Sequence, residues 1–427
     1  MTKQRVSAAL LSLAAVAAAA LIARDAPARK LVFEDEPRLI GAGRSPQFLP
    51  RRQHGLLMTF TKAQDLYFQA SNDLGDTFTD PVRVNDKPGE VSDHGENSPQ
   101  LLASPGERDL YAIWSAKDAR ATSASLIRFS RANGMNPEWA PAITLNDDSL
   151  PASHSFQGAA VGPDGTIYAA WLDGREKPAA GGGHAGHGTH GSMAGTSAIY
   201  ISRSLNNGRT FEKNVRVAGN VCPCCRVSIG FSQGNIVLAW RGVEEGDLRD
   251  ITTSVSSDRG ATWTKPALAA RDGWKLNGCP HVGPSLASLG GTLWVTWFSE
   301  GGDDPAIYLT KSTDGGRTFQ PRQRVSGTTL DPTHPYLTGS DGKLALVFQA
   351  RDEKSAKGWG KFVTYYREIY PDGNLSSLVR AGGGKANANY PTAALGLSGR
   401  IFLGWSENSG EGPKAYLLRG RALAETR

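Results

Sequence analysis

Hydrophobic residues along this chain come in short runs that close on an aromatic ring. They stand at residues 56–60, 110–114, 167–171, 236–240, 293–297, 344–348 and 401–405, and end on Phe60, Trp114, Trp171, Trp240, Trp297, Phe348 and Trp405. The runs recur about every 50 to 56 residues once one insertion is set aside, which is the spacing of a repeated four-stranded unit. Most follow a tight turn such as Gly162-Pro163-Asp164-Gly165 or Ser340-Asp341-Gly342. Each is also preceded by a second extended segment, opening at Ser45-Pro46, Ser98-Pro99, His154-Ser155, Cys225-Arg226, Pro280-His281, His334-Pro335 and Tyr390-Pro391. No long stretch shows helical periodicity, and 50 Gly with 24 Pro suit many short strands and turns.

Four octets of the form Ser-x-Asp/Asn-x-Gly-x-Thr-aromatic lie in register with these runs, at residues 71–78, 204–211, 256–263 and 312–319. The pattern predicts hairpins in which Asp73, Asn206, Asp258 or Asp314 accepts backbone N–H groups, a glycine takes positive φ, and the last aromatic packs beneath the turn. This resembles the Asp-box, or BNR, motif of sialidase-like β-propellers, and at the level of fold the resemblance spans nearly all of residues 30–427. It implies an all-β β-propeller with four-stranded blades over residues 27–427. The motif lies on the outer rim of a blade, so it speaks for fold and not for chemistry.

Seven repeats are counted, against the six blades of sialidases, so seven blades are expected with six as the alternative. The octet is degenerate or missing in the second, sixth and seventh repeats. The seventh offers a third strand near residues 414–418 but too little chain for a fourth. Residues 30–39 form an unattached strand at the other end, and the expected closure pairs them with the last blade.

Formal charge is +6, from 47 Lys and Arg against 41 Asp and Glu. No basic cluster is interleaved with aromatics, so no nucleic-acid partner is expected. Lys3 and Arg5 precede an apolar run over residues 6–23 and a polar Arg24-Asp25-Ala26-Pro27 stretch. This reads as a signal peptide over residues 1–26, implying a periplasmic or secreted protein, with membrane attachment only if the segment stays uncleaved.

In a propeller the residues just before each inner strand converge on one face of the central channel. Here they are Arg44, Glu96, Asn97, Ser153, His154, Cys224, Cys225, Arg226, Cys279, His281, His334, Asn389 and Tyr390. The sharpest cluster is Cys222-Pro223-Cys224-Cys225-Arg226, with Cys279-Pro280-His281 at the corresponding place one repeat later. Thiolate and imidazole suit copper or zinc, copper being preferred on ligand softness. The expected ligands are Cys222, Cys224, Cys225, Cys279, His154, His281 and His334. The competing expectation is a disulfide such as Cys225 to Cys279, favoured by export. A redox-active Cys222/Cys225 pair is a third reading. An insertion at residues 176–195 adds His184, His187, His190 and Met193 in a Gly-rich context, a second expected metal-capturing segment.

The resemblance to sialidases also implies catalytic positions. Arg44-Ser45-Pro46 stands where those enzymes carry an Arg-Ile-Pro motif, Tyr390 matches the late Tyr nucleophile, and Arg226 or Arg241 is placed to serve as a second carboxylate-binding Arg. The chain departs from the family between Phe60 and the first octet, where Thr61-Lys62-Ala63-Gln64-Asp65 holds no Arg and no insertion for the acid/base Asp. A glycosidase of another kind needs two carboxylates, and Glu96 alone stands at the channel face. The expected function is therefore transition-metal binding at the channel face. An exo-sialidase-like glycoside hydrolase and a protein-interaction scaffold with a protein partner are the alternatives.

Overall fold

The seven apolar runs become the second strands of seven antiparallel sheets arranged as the blades of an all-β propeller. The structure is a computed structural model and describes residues 29–424 except 34–35, 53–54, 134–136, 177–196, 303–304, 341, 353–359 and 384–385. The expected signal peptide and His184, His187, His190 and Met193 lie outside the described residues. Among those described, the one helical turn is the 3-10 segment Leu397–Gly399.

Six sheets take their four strands in chain order, inner to outer. Their second strands are sandwiched between neighbouring blades, which explains why they read as continuous apolar runs. Asn235–Arg241, for example, is buried at all seven positions. Trp114, Trp171, Trp297 and Trp405 are fully buried there. Two of these indoles find carboxylates on their own strands, Trp171 Nε1 donating to Asp173 at 2.8 Å and Trp405 Nε1 to Glu407 at 3.1 Å. Several outer strands are only two residues long, as at Val82–Arg83, Ile143–Thr144, Ala267–Leu268 and Gln323–Arg324. Short edges of this kind give other chains little to pair with.

The seventh sheet closes the ring. Its inner three strands are Ala388–Leu395, Arg400–Ser409 and Gly412–Ala424, and the outer position is filled from the N-terminus. The closure expected for residues 30–39 is present as two strands. Arg29–Phe33 pairs with the distal half of Gly412–Ala424, setting Phe33 opposite Gly420, and Arg38–Ala42 pairs with the proximal half, setting Arg38 opposite Leu417.

The octets form the hairpins their pattern predicts. Asp258 Oδ1 accepts the Thr262 N–H at 2.9 Å, Ser256 Oγ accepts the Gly260 N–H at 2.7 Å, and Gly260 has φ 87°. The glycines also let each octet press on the preceding blade. A Cβ on Gly208 would stand 2.6 Å from the Phe129 ring, and one on Gly316 2.5 Å from Val237.

Where the inner strands begin, the ladder slips in four blades, at Arg44/Gln47, Ser155/Gly158, Thr333/Tyr336 and Asn389/Thr392. Ser45, Phe156, His334 and Tyr390 sit in these bulges with φ of 53°, 54°, 52° and 51°. Left-handed conformations cost a non-glycine residue about 1 to 3 kcal/mol, and bulges re-aim side chains. Here Ser45, His334 and Tyr390 line the channel mouth, while Phe156 packs in the apolar core.

Candidate metal centre and channel mouth

The loop that feeds the inner strand of the fourth blade carries three of the four cysteines. It is laid against the end of strand Asn235–Arg241, with the Cys222 N–H donating to the Arg241 carbonyl at 2.9 Å and the Val243 N–H to Asn220 at 2.9 Å. Pro223 and Cys224 form a turn, and the sulfurs on either side of Pro223 come within 3.5 Å. Cys222, Cys224 and Cys225 are buried among Val221, Val227, Trp240 and Val243, and half-buried Cys279 approaches from the loop of the fifth blade.

The sulfur of Cys222 lies 3.5 Å from that of Cys224 and 3.5 Å from that of Cys225, while Cys224 and Cys225 are 3.9 Å apart. The sulfurs of Cys222, Cys224 and Cys279 all lie within 4.8 Å of one another. No disulfide is formed: all four cysteines are free, and the sulfurs that stand 3.5 to 3.9 Å apart lie well beyond the roughly 2.05 Å of an S–S bond. The thiols of Cys224, Cys225 and Cys279 all face Cys222, which pulls its thiol far below the ordinary range. Those of the other three are raised, Cys279 to about 11 by its contact with Cys222.

Two arginines flank this pocket. Arg241 is buried, donates to the backbone carbonyls of Val282 at 3.0 Å, Arg249 at 2.6 Å and Phe298 at 2.8 Å, and lies 4.8 Å over the Trp274 ring. It is a structural tie between blades, closed to a substrate carboxylate. Arg249 is equally buried. Sequence reasoning passed over it because it lies in an irregular segment with no motif of its own.

The channel mouth is a separate place. A cavity of about 150 Å³ opens there among Ser45, Glu96, Arg226, His334, Tyr336 and Tyr390. Arg226 donates from one terminal nitrogen to Glu96 Oε1 at 2.7 Å, from the other to the Pro335 carbonyl, and from Nε to the Pro284 carbonyl at 3.1 Å. Glu96 also accepts the Gly283 N–H at 2.6 Å. Burial pushes the Glu96 carboxyl upward, opposed by Arg226 and these N–H groups.

His334 packs edge-on against Tyr390 at 4.7 Å, and neither ring nitrogen has a hydrogen-bond partner among the described residues. Burial, with Arg226 nearby, holds its imidazole down at about 3, so it stays neutral in ordinary buffers. Burial also raises the Tyr390 phenol, helped by Glu96 and Asp93. Exposed Arg44 lies within electrostatic reach of Tyr390, Asp93 and His94. Asp93, which no motif announced, accepts hydroxyl bonds from Ser45 at 2.9 Å and from Thr61.

The histidines expected to join the cysteines do not. Among the described residues the groups close enough to share one ion are Cys222, Cys224 and Cys279, and separately Asp148, His154 and Asp173. His281 is exposed at the mouth and His334 lines the cavity. His154 is wholly buried, with Nδ1 2.6 Å from the Ser125 carbonyl and Nε2 3.0 Å from Asp148 and 3.5 Å from Asp173. Arg175 also reaches both carboxylates, at 3.5 and 2.8 Å. His154 therefore belongs to an ion network joining the second and third blades, away from the cysteines. Its ladder partner is Asp173, which directs it into the blade.

No family model matches the chain, and no curated protein matches it. Among solved structures the chain is similar to a PL25 ulvan lyase at 13% identity, covering 91% of this chain and 96% of that one with a TM-score of 0.55. It is also similar to a GH93 α-L-arabinofuranosidase of Fusarium graminearum at 12% identity, covering 79% and 96% with a TM-score of 0.52. The NanB sialidase of Streptococcus pneumoniae aligns at 11% identity over 86% and 83% with a TM-score of 0.47. At 12 and 13% identity, the two alignments with TM-scores above 0.5 show a shared fold alone.

Proposed function

We propose that this protein is an exported, periplasmic β-propeller that binds a thiophilic metal ion in the pocket of Cys222, Cys224, Cys225 and Cys279, with copper as Cu(I) preferred over zinc. The observation that carries this reading is the sulfur spacing. A metal–sulfur bond of about 2.3 Å in tetrahedral geometry requires sulfurs about 3.8 Å apart; the sulfurs of Cys222 and Cys224 stand 3.5 Å apart and that of Cys279 lies within 4.8 Å of both, with Cys225 3.5 Å from Cys222 beside them. Close sulfur contacts in a buried, apolar setting favour a soft ion that coordinates thiolate over a hard one that needs oxygen. The ion is cargo or a resident of this pocket, and the histidine-bearing insertion at residues 176–195 is the segment proposed to gather it. Elemental analysis of the protein purified from the periplasm, with copper and zinc both supplied, tests the reading. Replacing Cys224 and Cys225 with Ser is expected to remove the tightly held ion.

The exo-sialidase-like hydrolase draws its support from Arg44 and Tyr390, which share the channel mouth. It requires Arg226 to leave Glu96 and two carbonyls before binding a carboxylate, and no described carboxylate but Glu96 lines the cavity. A fluorogenic sialoside assay on the same preparation decides it. A protein that holds no metal and cleaves no sialoside would leave the interaction-scaffold reading.

A further inference from the structure

Arg249 is buried as completely as any residue of the core, yet its guanidinium is not satisfied. Asp247, the acid it reaches, is 3.5 Å from one terminal nitrogen. Its Nε and other terminal nitrogen have no hydrogen-bond partner among the described residues. Burying a charged group with idle donors is among the costliest arrangements a fold can hold. The backbone is pinned around it, since the Arg249 N–H donates to the Trp274 carbonyl at 2.8 Å and its carbonyl receives Arg241 at 2.6 Å. Arg241 ties it to the cysteine loop, its guanidinium holding the Arg249 carbonyl at 2.6 Å while its own carbonyl accepts the Cys222 N–H at 2.9 Å, and Arg249 lies within electrostatic reach of Cys279.

Charge counting gives this arrangement a purpose. Three thiols that bind Cu(I) release three protons to solvent and leave a complex of net charge −2, and four thiolates around Zn(II) leave the same charge. Either complex sealed in an apolar pocket needs compensating cations. Arg241 supplies one, and Arg249, held only at 3.5 Å by partly exposed Asp247, supplies the second.

We propose that Arg249 is the counter-charge of the metal–thiolate centre, its idle N–H groups donating to the coordinating sulfurs once Cys222, Cys224 and Cys279 bind a soft ion as thiolates. The inference rests on the metal-binding reading above. It makes Arg249 a positioning residue whose value appears in the loaded protein and whose presence burdens the empty one.

The test compares the full chain with Arg249→Met and Arg249→Lys, using Cu(I) alone against a chromophoric Cu(I) chelator, with melting of the metal-free forms alongside. Arg249→Met is expected to melt at or above the metal-free parent, because an uncompensated buried charge is gone. Its Cu(I) affinity is expected to fall at least about tenfold, the scale of one lost charge-assisted hydrogen bond. Its sulfur-to-copper charge-transfer band should shift, and Arg249→Lys should recover most of the affinity. An Arg249→Met protein that binds Cu(I) as the parent does, or whose metal-free form alone is destabilised, overturns the counter-charge role while leaving the centre standing. A parent chain that takes up neither copper nor zinc overturns the centre and the inference together.

Discussion

Arg226 and Glu96 meet at 2.7 Å across the channel, joining the fourth blade to the second. The same guanidinium holds carbonyls of the fifth and sixth blades at Pro284 and Pro335. Four of seven blades are thus knotted at one buried ion pair. Removing one partner strands the other charge, which costs about 3 to 5 kcal/mol. Glu96→Ala is expected to lower stability by that order in chemical denaturation. Copper uptake by the folded fraction should be unchanged, because Glu96 does not touch a sulfur.

The octet hairpins make a prediction about acid. The Asp258 carboxyl is lowered from 3.8 to about 2 by hydrogen bonds from the Thr262 hydroxyl and N–H. A depressed carboxylate contributes stability above its unfolded value and loses it as pH falls through the folded one. That contribution should fade between about pH 4 and pH 2. Asp258→Asn should flatten this part of the melting profile and cost little at neutral pH, since Asn206 already accepts the Thr210 N–H at 3.0 Å in the third blade. Asp258→Ala should cost about 1 kcal/mol at neutral pH through lost backbone bonds and spare metal binding. A loss of binding at unchanged melting temperature would contradict the structural role.

Ring closure depends on the N-terminal pair of strands. A chain beginning at residue 43 leaves Gly412–Ala424 as a long unpaired edge, and such edges recruit other chains. It is expected to elute as oligomers or aggregate in size-exclusion chromatography. A monomer with the parent's melting temperature would show that Arg29–Phe33 and Arg38–Ala42 are dispensable.

Deleting residues 181–193 separates the two proposed metal-binding segments. The tight site should survive with its affinity, while the rate or capacity of uptake falls. If the deletion abolishes all binding, the insertion alone holds the ion and the cysteine pocket must be reassigned.

The blade count was legible because buried second strands write an aromatic-terminated run once per repeat, and Trp405 announces the last blade as plainly as Trp114 the second. Closure was legible as one strand and proved to be two, since each segment pairs with a different stretch of Gly412–Ala424. The cysteine cluster could be read from Cys222 to Cys225 and Cys279 opening adjacent blades. His154 could not be placed, because strand entry says which end of a blade a residue occupies but not which way it faces. The ladder at His154 opposite Asp173 decides that. Asp148, Asp93 and Arg249 carry no periodic signal and reach their partners through loops.

The central claim is tested most directly by the copper and zinc content of the periplasmically expressed protein, measured beside a Cys222→Ser, Cys224→Ser double variant. About one tightly held ion per chain, copper when both are supplied, is expected for the parent and none at that affinity for the variant, since a hydroxyl is a poor ligand for a soft ion. Parent protein free of both metals under reducing and oxidising conditions alike would contradict the account.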